Sequence, residues 1–426
     1  MKKLNEIIKN YRTTTLSSFK EDALVSIESN GIPYSKQENW KYTNLKKFIS
    51  EDFNFLKKPE SFSSSTDETL FKDHHQIVFE DGHLNPNKTK LPSGCSLKEQ
   101  SIESQESNIS KNFPQDQLDF FEGLSRLVNN NLYSIEVDKK AIIDNSPIII
   151  HHTYSHQSEG SWVQPIIIIE CGAFSQSTFV EIYHGKENQI PSFTNASTSF
   201  VINENAIVEH VKVQIEDTQS IHISKVRAKV LRDATFHSFT LSLGSLVARQ
   251  NILVDIDGEN SNSHIHGFFG ARGNQHHDIF SHINHHVGHN ESHQLVKGIL
   301  DDEARGVFTG KIMIHRDAQL VDSTQLNKNI LLGPKSHMDT RPQLEVYADD
   351  VKCAHGATIG QIDPEEIFYL QSRGIKLHEA QKMLCHAFAF DTLEKIKSET
   401  VRESLAELLY EKFEKYALEH FGEGKE

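Results

Sequence analysis

The residues best suited to chemistry are a cysteine and a histidine two positions apart, Cys353 and His355. On a β-strand, residues two positions apart project from the same face, so the thiol and the imidazole would lie side by side. Such a pair can act together as thiolate and imidazole, or bind a soft metal or a sulfur species. A hydrolase with Cys353 as nucleophile is the catalytic alternative, although no neighbouring motif indicates an oxyanion hole. The pattern alone also fits an inert pair.

A second candidate is the histidine-rich stretch 264–293, which contains nine of the 25 histidines. Imidazole is a good ligand for zinc, iron and copper, so a metal site is one interpretation. The spacing is irregular and no HExxH motif is present, which favours a polar face or a subunit interface. On a strand, His282 and His286 would share one face and His285 would point to the other.

Several classes of function are disfavoured by what the chain contains. There is no CxxC pair among the four cysteines, so neither a four-cysteine metal site nor a disulfide framework is expected. The glycines of 267–273 lack the Lys-Ser/Thr pair of a P-loop, so we expect no ATP site. The 44 basic and 59 acidic residues give a net charge of −15, which disfavours nucleic-acid binding. The start does not resemble a signal peptide and no apolar run suits a membrane helix, which predicts a cytoplasmic protein.

The chain divides into three compositional zones, whose helices and strands would position these residues. The first, 1–135, combines two helical patterns with the polar segments 59–68 and 93–117, which we interpret as exposed loops. The second, 136–362, is a succession of strand-like runs with alternating polar and apolar residues. The third, 363–426, carries helical periodicity throughout.

The central zone has a nearly constant period. Turn-like pairs begin at Gly172, Asn205, Asp233, Asn260, Asn290 and Asp317, in steps of 33, 28, 27, 30 and 27 residues. Such a period in an all-β region is typical of a solenoid, in which each rung buries its apolar face on the next. A β-sandwich with irregular loops is the alternative.

The last zone has clear helix boundaries. Asp363 is a good N-cap residue, Pro364 suits the first helical turn, and Gly374 suits the position after the helix end. Two further helical patterns follow. We expect part of their apolar surface to cap the end of the solenoid and part to dock another subunit.

Four segments of the sequence resemble the SufB/SufD family, whose members form the scaffold of Suf iron–sulfur cluster assembly. The longest is 339–360, which contains the Cys-x-His pair, and the others are 367–375, 297–312 and 38–43. The segment 323–332 lacks the cysteine that SufB-type sequences carry after a glutamine. The resemblance, which extends over nearly the whole chain, is therefore to the SufD branch.

This resemblance implies a mainly β fold, with a right-handed parallel β-helix flanked by N-terminal and C-terminal helical regions. It also implies that the chain pairs with SufB through the β-helix. The C-terminal helices would dock the ABC-type ATPase SufC, which would bind the ATP. The implied SufC-docking residues are Ile367, Phe368, Tyr369, Leu370 and Arg373.

The resemblance also implies roles for the Cys-x-His pair. His355 matches the histidine that the SufD branch contributes at the SufB interface, and Cys353 beside it is the weaker candidate. Both would contact a transient iron–sulfur cluster shared with SufB, in a scaffold subunit that is not itself an enzyme. The sequence does not decide whether the isolated chain forms a homodimer. The alternatives are a β-helix polysaccharide lyase or hydrolase, and an interaction solenoid that binds no metal.

Overall fold

The computed structural model describes most of the chain, namely residues 2–59, 62, 71, 74–113, 118–154, 160–184 and 191–421. The helices are α1 (Lys2–Arg12), α2 (Ser18–Asn30), α3 (Lys46–Ser50), α4 (Glu106–Asn112), α5 (Phe120–Val128), α6 (Pro364–Ser372), α7 (Leu377–Leu393) and α8 (Glu399–Phe421). The strands are β1 (Asn54–Phe55), β2 (His75–Glu80), β3 (His83–Leu84), β4 (Cys95–Ser101), β5 (Asn131–Val137), β6 (Ile142–Thr153), β7 (Ser161–Val163), β8 (Ile166–Cys171), β9 (Gln176–His184), β10 (Phe193–Ile202), β11 (Ile207–Ile215), β12 (Ile221–Val230), β13 (Thr235–Ser242), β14 (Val247–Ile256), β15 (Asn262–Ala271), β16 (His276–His285), β17 (Glu291–Leu300), β18 (Arg305–Ile314), β19 (Val321–Leu331), β20 (His337–Val346) and β21 (Val351–Gly360).

The central strands form a β-solenoid of about 7 turns. Strands β8, β10, β12, β14, β16, β18 and β20 belong to one sheet, which we call the first sheet. Strands β9, β11, β13, β15, β17, β19 and β21 belong to the second sheet. Neighbouring solenoid strands within each sheet are parallel, and each turn adds one strand to each sheet. The mainly β solenoid is therefore confirmed, and the β-sandwich alternative is excluded.

Tight turns between the two sheets produce the period seen in the sequence. Six of them contain a residue in the left-handed region: Phe174, Asn205, Asp233, Asn260, His289 and Leu320, with φ between 57° and 63°. Asn and Asp tolerate this conformation better than other residues with a side chain, because their short polar groups can bond locally. The predicted turns are confirmed.

The strands are apolar on both faces in the early turns of the solenoid. Phe179 on β9 points into the interior, where it packs with Ile150 and Phe200. Its neighbour Val180 points outward and packs in a second cluster with Leu405 of α8. Because the outer face of the second sheet is apolar, it has to be covered by another element.

The helices α7 and α8 cover that outer face. The ammonium group of Lys297 bonds to the Phe388 carbonyl at 3.1 Å and to the Asp391 carboxylate. The Glu209 carboxylate accepts from the backbone N–H groups of Lys397 at 2.6 Å and Ser398 at 3.0 Å, just before α8 begins. The expectation that these helices cap the solenoid end is wrong, because the apolar surface that needs covering lies on the side of the solenoid.

The N-terminal segment 38–43 lies across the outer face of the first sheet. The guanidinium of Arg249 stacks on the Trp40 ring at 3.9 Å and pairs with the Asp278 carboxylate. Thr43 donates to the same carboxylate, and Glu38 pairs with Arg341 on β20. The segment therefore ties the N-terminal region to strands β14, β16 and β20.

One sequence-based expectation for the N-terminal region is wrong. The segment 93–117 was expected to be an exposed loop, yet it contains β4, which pairs antiparallel with β5, and helix α4. Buried Ile102 and Ile109 pack it with Phe19 of α2. The apolar residues that anchor this otherwise polar stretch are too irregularly spaced to give a recognisable period; they are Leu97, Ile102, Ile109 and Phe113. Most of the other expected loop, 59–68, lies outside the described residues.

Candidate functional site

The last turn of the solenoid forms an open end. Strands β20 and β21 pair on one side with β18 and β19, and no described strand pairs with their other edges. Side chains along β21 are half-buried or exposed. On β19, the preceding strand of the second sheet, buried side chains alternate with half-buried or exposed ones. A ten-residue strand with a free edge offers a row of backbone N–H and C=O groups to another chain.

Cys353 and His355 both lie on β21, at this open end. They pair in register with Ser323 and Gln325 of β19, whose side chains are buried inside the solenoid. The thiol and the imidazole therefore continue two columns of inward-facing side chains. His355 is exposed, because the column ends with it.

The two side chains differ in how available they are. Cys353 is half-buried against the cluster of Ile312, Val321 and Ala348. Burial, with a contribution from the Asp322 carboxylate, raises the pKa of the Cys353 thiol above its usual value. The thiol is therefore protonated at neutral pH and is a poor metal ligand until it loses its proton. The exposed imidazole of His355 is the more accessible group.

Helix α6 presents a second exposed surface. Its N-terminus is capped as predicted, because the Asp363 carboxylate accepts from the Glu365 backbone N–H at 2.9 Å. Phe368 and Tyr369 are 73% and 57% exposed. Arg373 is exposed and donates to the Tyr369 hydroxyl at 3.3 Å.

The five residues expected to dock a partner therefore divide into two groups. Ile367 packs against the cluster beneath α7 and α8, and Leu370 is half-buried. Phe368, Tyr369 and Arg373 form the outward surface of α6, which we call the α6 surface.

Comparison with known proteins identifies the family. The profile described as "SUF system FeS cluster assembly, SufBD core domain" matches residues 153–388, and "SufBD protein N-terminal region" matches residues 1–106. The chain is 32% identical over 378 residues to the iron–sulfur cluster assembly protein SufD of Escherichia coli (strain K12), covering 88% of each chain. The chain belongs to the SufBD family.

Other relatives agree with this assignment. A SufBD family protein of Synechocystis is 28% identical over 393 residues, covering 86% of this chain and 84% of the relative. SufD of Bacillus subtilis is 22% identical over 429 residues, covering 95% of each chain. This SufBD-family chain is thus an iron–sulfur cluster assembly protein and a homologue of SufD. None of the helices in its described part combines the length and apolarity needed to cross a bilayer.

The histidines of 264–293 in this SufBD-family chain lie on more than one face, so the expected polar face describes only part of the stretch. His277 and His285 are fully buried inside the solenoid, where His285 bonds to the Ser292 hydroxyl at 2.9 Å. His264 and His293 are half-buried on the outer face of the second sheet, with ring centroids 5.3 Å apart. Within the described residues, no group of three or more His, Cys, Asp or Glu side chains is placed to hold a metal ion. The irregular spacing arose because the histidines belong to different faces.

The buried histidines predict a loss of stability in mild acid. Burial lowers the pKa of His277 to about 4 and that of His285 to about 3, from an ordinary value of 6.5. Each takes up a proton on unfolding, so its stabilisation is complete above the unfolded pKa and is lost as the pH falls toward the folded pKa. The expected slope is about 1.4 kcal/mol per pH unit for each such histidine.

Urea unfolding at about pH 7.5 and about pH 5 measures this slope, in a range where the carboxylates contribute little. His285→Gln is the matched variant, since it cannot titrate and should show a shallower dependence. An unfolding free energy that does not change between the two pH values would contradict neutral buried histidines.

A buried group of charged side chains in the early turns has no recognisable pattern in the sequence. The Glu181 carboxylate accepts from Tyr183 at 2.6 Å and contacts His152 at 3.2 Å and His210 at 3.0 Å. Although complete burial raises the pKa of Glu181, the two histidines and the Lys212 ammonium hold it well below its usual range. Burial in turn lowers the pKa of Lys212 to about 8. The group is enclosed, so it does not provide the open acid–base groove that a polysaccharide lyase or hydrolase needs.

Proposed function

We propose that this SufBD-family chain is a scaffold subunit that pairs with a SufB homologue through its open end and docks a SufC homologue on its α6 surface. The observation that carries the proposal is the free edge of β20 and β21 with His355 exposed upon it. In this account the regions 1–135, 136–362 and 363–426 are respectively the N-terminal region, the pairing solenoid and the ATPase-docking region.

Pairing through the open end is supported by the chemistry of that edge. The free backbone groups of two ten-residue strands can extend each sheet into a partner solenoid. Exposed apolar side chains lie at the same end, among them Val346, Tyr347 and Ile359. A long unprotected strand edge can pair with other chains and make a free monomer aggregate, so a partner that covers it is expected.

The position of His355 supports a role in building the cluster at that interface. Iron in a cluster takes several ligands, and cysteine thiolates and histidine nitrogens are the groups that proteins supply. His355 and Cys353 would provide at most two of them. The others would come from the partner and from the sulfur of the nascent cluster, which is cargo rather than a resident cofactor.

Docking of an ATPase is supported by the α6 surface. Large aromatic side chains such as Phe368 and Tyr369 are the residues that dominate binding energy at protein interfaces. Helices α7 and α8 are fixed to the solenoid by Lys297 and Glu209, so they provide a rigid base for α6. The chain itself would remain non-catalytic, with ATP hydrolysis in the partner.

The test is co-expression with SufB and SufC homologues, followed by affinity purification on a tag carried by this chain. A stable complex that contains all three proteins is expected. Recovery of the tagged chain alone, at concentrations where the other two are folded, would contradict the proposal. Truncation after Gly360 is unsuitable for mapping the SufC site, because it would expose the apolar outer face that α7 and α8 cover.

A further inference from the structure

A buried glutamine lies directly beneath His355. Gln325 is fully buried and pairs in register with His355, so the two side chains are neighbours in one inward-facing column. Gln294 is the next member of this column on β17. The column thus runs from the solenoid interior, through two amides, to the exposed imidazole.

The Gln325 side chain is held in one orientation. Its Nε2 donates to the Oε1 atom of Gln294 at 3.2 Å, and the Ser281 hydroxyl donates to that same oxygen at 2.6 Å. Gly310 leaves room for the amide, since a Cβ at that position would lie 2.0 Å from Gln325 Nε2. These contacts therefore hold the amide of Gln325 against that of Gln294.

The oxygen of this amide has no described partner. Gln325 Oε1 is buried and accepts no hydrogen bond within the described part of the chain. Buried acceptors in proteins are normally satisfied, so an unused one calls for a donor. Because Nε2 is directed to the preceding turn, the remaining neighbour in the column is His355. Cys353 belongs to the adjacent column, above Ser323.

We infer that Gln325 is a positioning residue for His355, whose exposed ring turns from its described position so that a ring N–H donates to the Gln325 Oε1 atom. This bond fixes the tautomer, so that the lone pair of the other ring nitrogen faces outward toward the partner subunit. Histidines that bind metals commonly have their second nitrogen held in this way by an oxygen acceptor. The inference rests on the proposed function for the role of the outward nitrogen, but the hydrogen bond itself does not.

The experiment is ¹⁵N NMR of the full chain labelled in its histidine rings, with the His355 signals assigned by their loss in His355→Ala. In the unmodified chain, the two ring nitrogens should have the shifts of a single neutral tautomer. Gln325→Leu removes the acceptor and should give the averaged shifts of a tautomer mixture. Gln325→Glu keeps an acceptor and should hold the ring in one state, either the same neutral tautomer or the imidazolium that a neighbouring carboxylate favours.

A second measurement separates this inference from the proposed function. In the complex with the SufB and SufC homologues, Gln325→Leu should lower the cluster content about 10-fold, in the range seen for groups that orient metal-binding histidines. Thr324→Val, an outward-facing neighbour on β19, is the control and should change neither readout. A tautomer change without cluster loss would leave Gln325 as the positioning residue and count against the role of His355 in assembly.

The inference is overturned if Gln325→Leu leaves the His355 shifts unchanged while its circular dichroism matches the unmodified chain. Should that variant not fold, Gln325→Glu decides the question. An averaged tautomer in Gln325→Glu, equal to that of a free imidazole, would also overturn the inference.

Discussion

Replacing His355 with alanine is expected to lower the cluster content of the complex by at least about 10-fold, with the complex itself unchanged. His355 is exposed at the end of its column, so its loss leaves no cavity in the core. The expected defect is therefore one of iron binding. Iron and acid-labile sulfide per purified complex measure it, with size-exclusion chromatography to confirm assembly.

The matched control for His355→Ala is His337→Ala. His337 is an exposed histidine on β20, at the same open end, and lies 3.4 Å from the Asp339 carboxylate. This control should retain the cluster. If both variants lost the cluster equally, any change at the edge would disturb pairing. If the His355→Ala complex kept its full cluster content, His355 would have no part in the mechanism.

The second large effect is expected at the α6 surface, where Phe368→Glu should weaken SufC binding by at least about 30-fold. Phe368 is 73% exposed, so a glutamate there is solvated and leaves the folded chain stable. At the interface, the loss of a central aromatic anchor costs about 2 kcal/mol or more, and a buried unpaired carboxylate adds to that cost. Isothermal titration calorimetry with the purified ATPase measures the change.

Val25→Glu provides the matched control for Phe368→Glu. Val25 lies on α2 in the N-terminal region and is 62% exposed, so it receives the same substitution on a surface without a proposed partner. Its affinity for SufC should match that of the unmodified chain. Undiminished binding by Phe368→Glu would place the ATPase elsewhere.

Local patterns in the sequence were sufficient to predict the elements that carry the site. The turn residues around Asn205 and Asp233 recur because each rung needs a left-handed residue at the same place, so the period was visible. The spacing of Cys353 and His355 was sufficient to place them on one face of a strand. Likewise Asp363 and Gly374 marked the ends of α6, since capping depends on neighbouring residues.

Contacts between distant parts of the chain could not be predicted in the same way. The bonds of Glu209 to the start of α8 join residues 188 and 189 positions apart, and nothing near Glu209 indicates them. The run around Phe179 and Val180 did contain a signal, because adjacent apolar residues on a strand require cover on both faces. That signal could have placed α7 and α8 on the side of the solenoid.

Which individual histidines are buried and which are exposed could not be predicted from the sequence either. His285 is buried and His286 is exposed, although they are adjacent, because a strand alternates its faces and a turn begins at this point. Similarly, Glu181 is an acidic residue in an apolar strand, and its partners His152 and His210 come from neighbouring rungs. Knowing which imidazole faces the open end required the register of β19 and β21.

The most direct test is pulsed electron paramagnetic resonance of the reduced cluster in the assembled complex, with ¹⁵N-histidine introduced only into this chain. We expect a ¹⁵N hyperfine coupling from a directly bound nitrogen, which disappears in His355→Ala and persists in His337→Ala. A cluster with no such coupling, or a coupling that survives His355→Ala, would contradict the claim that this chain completes the cluster site at its open end.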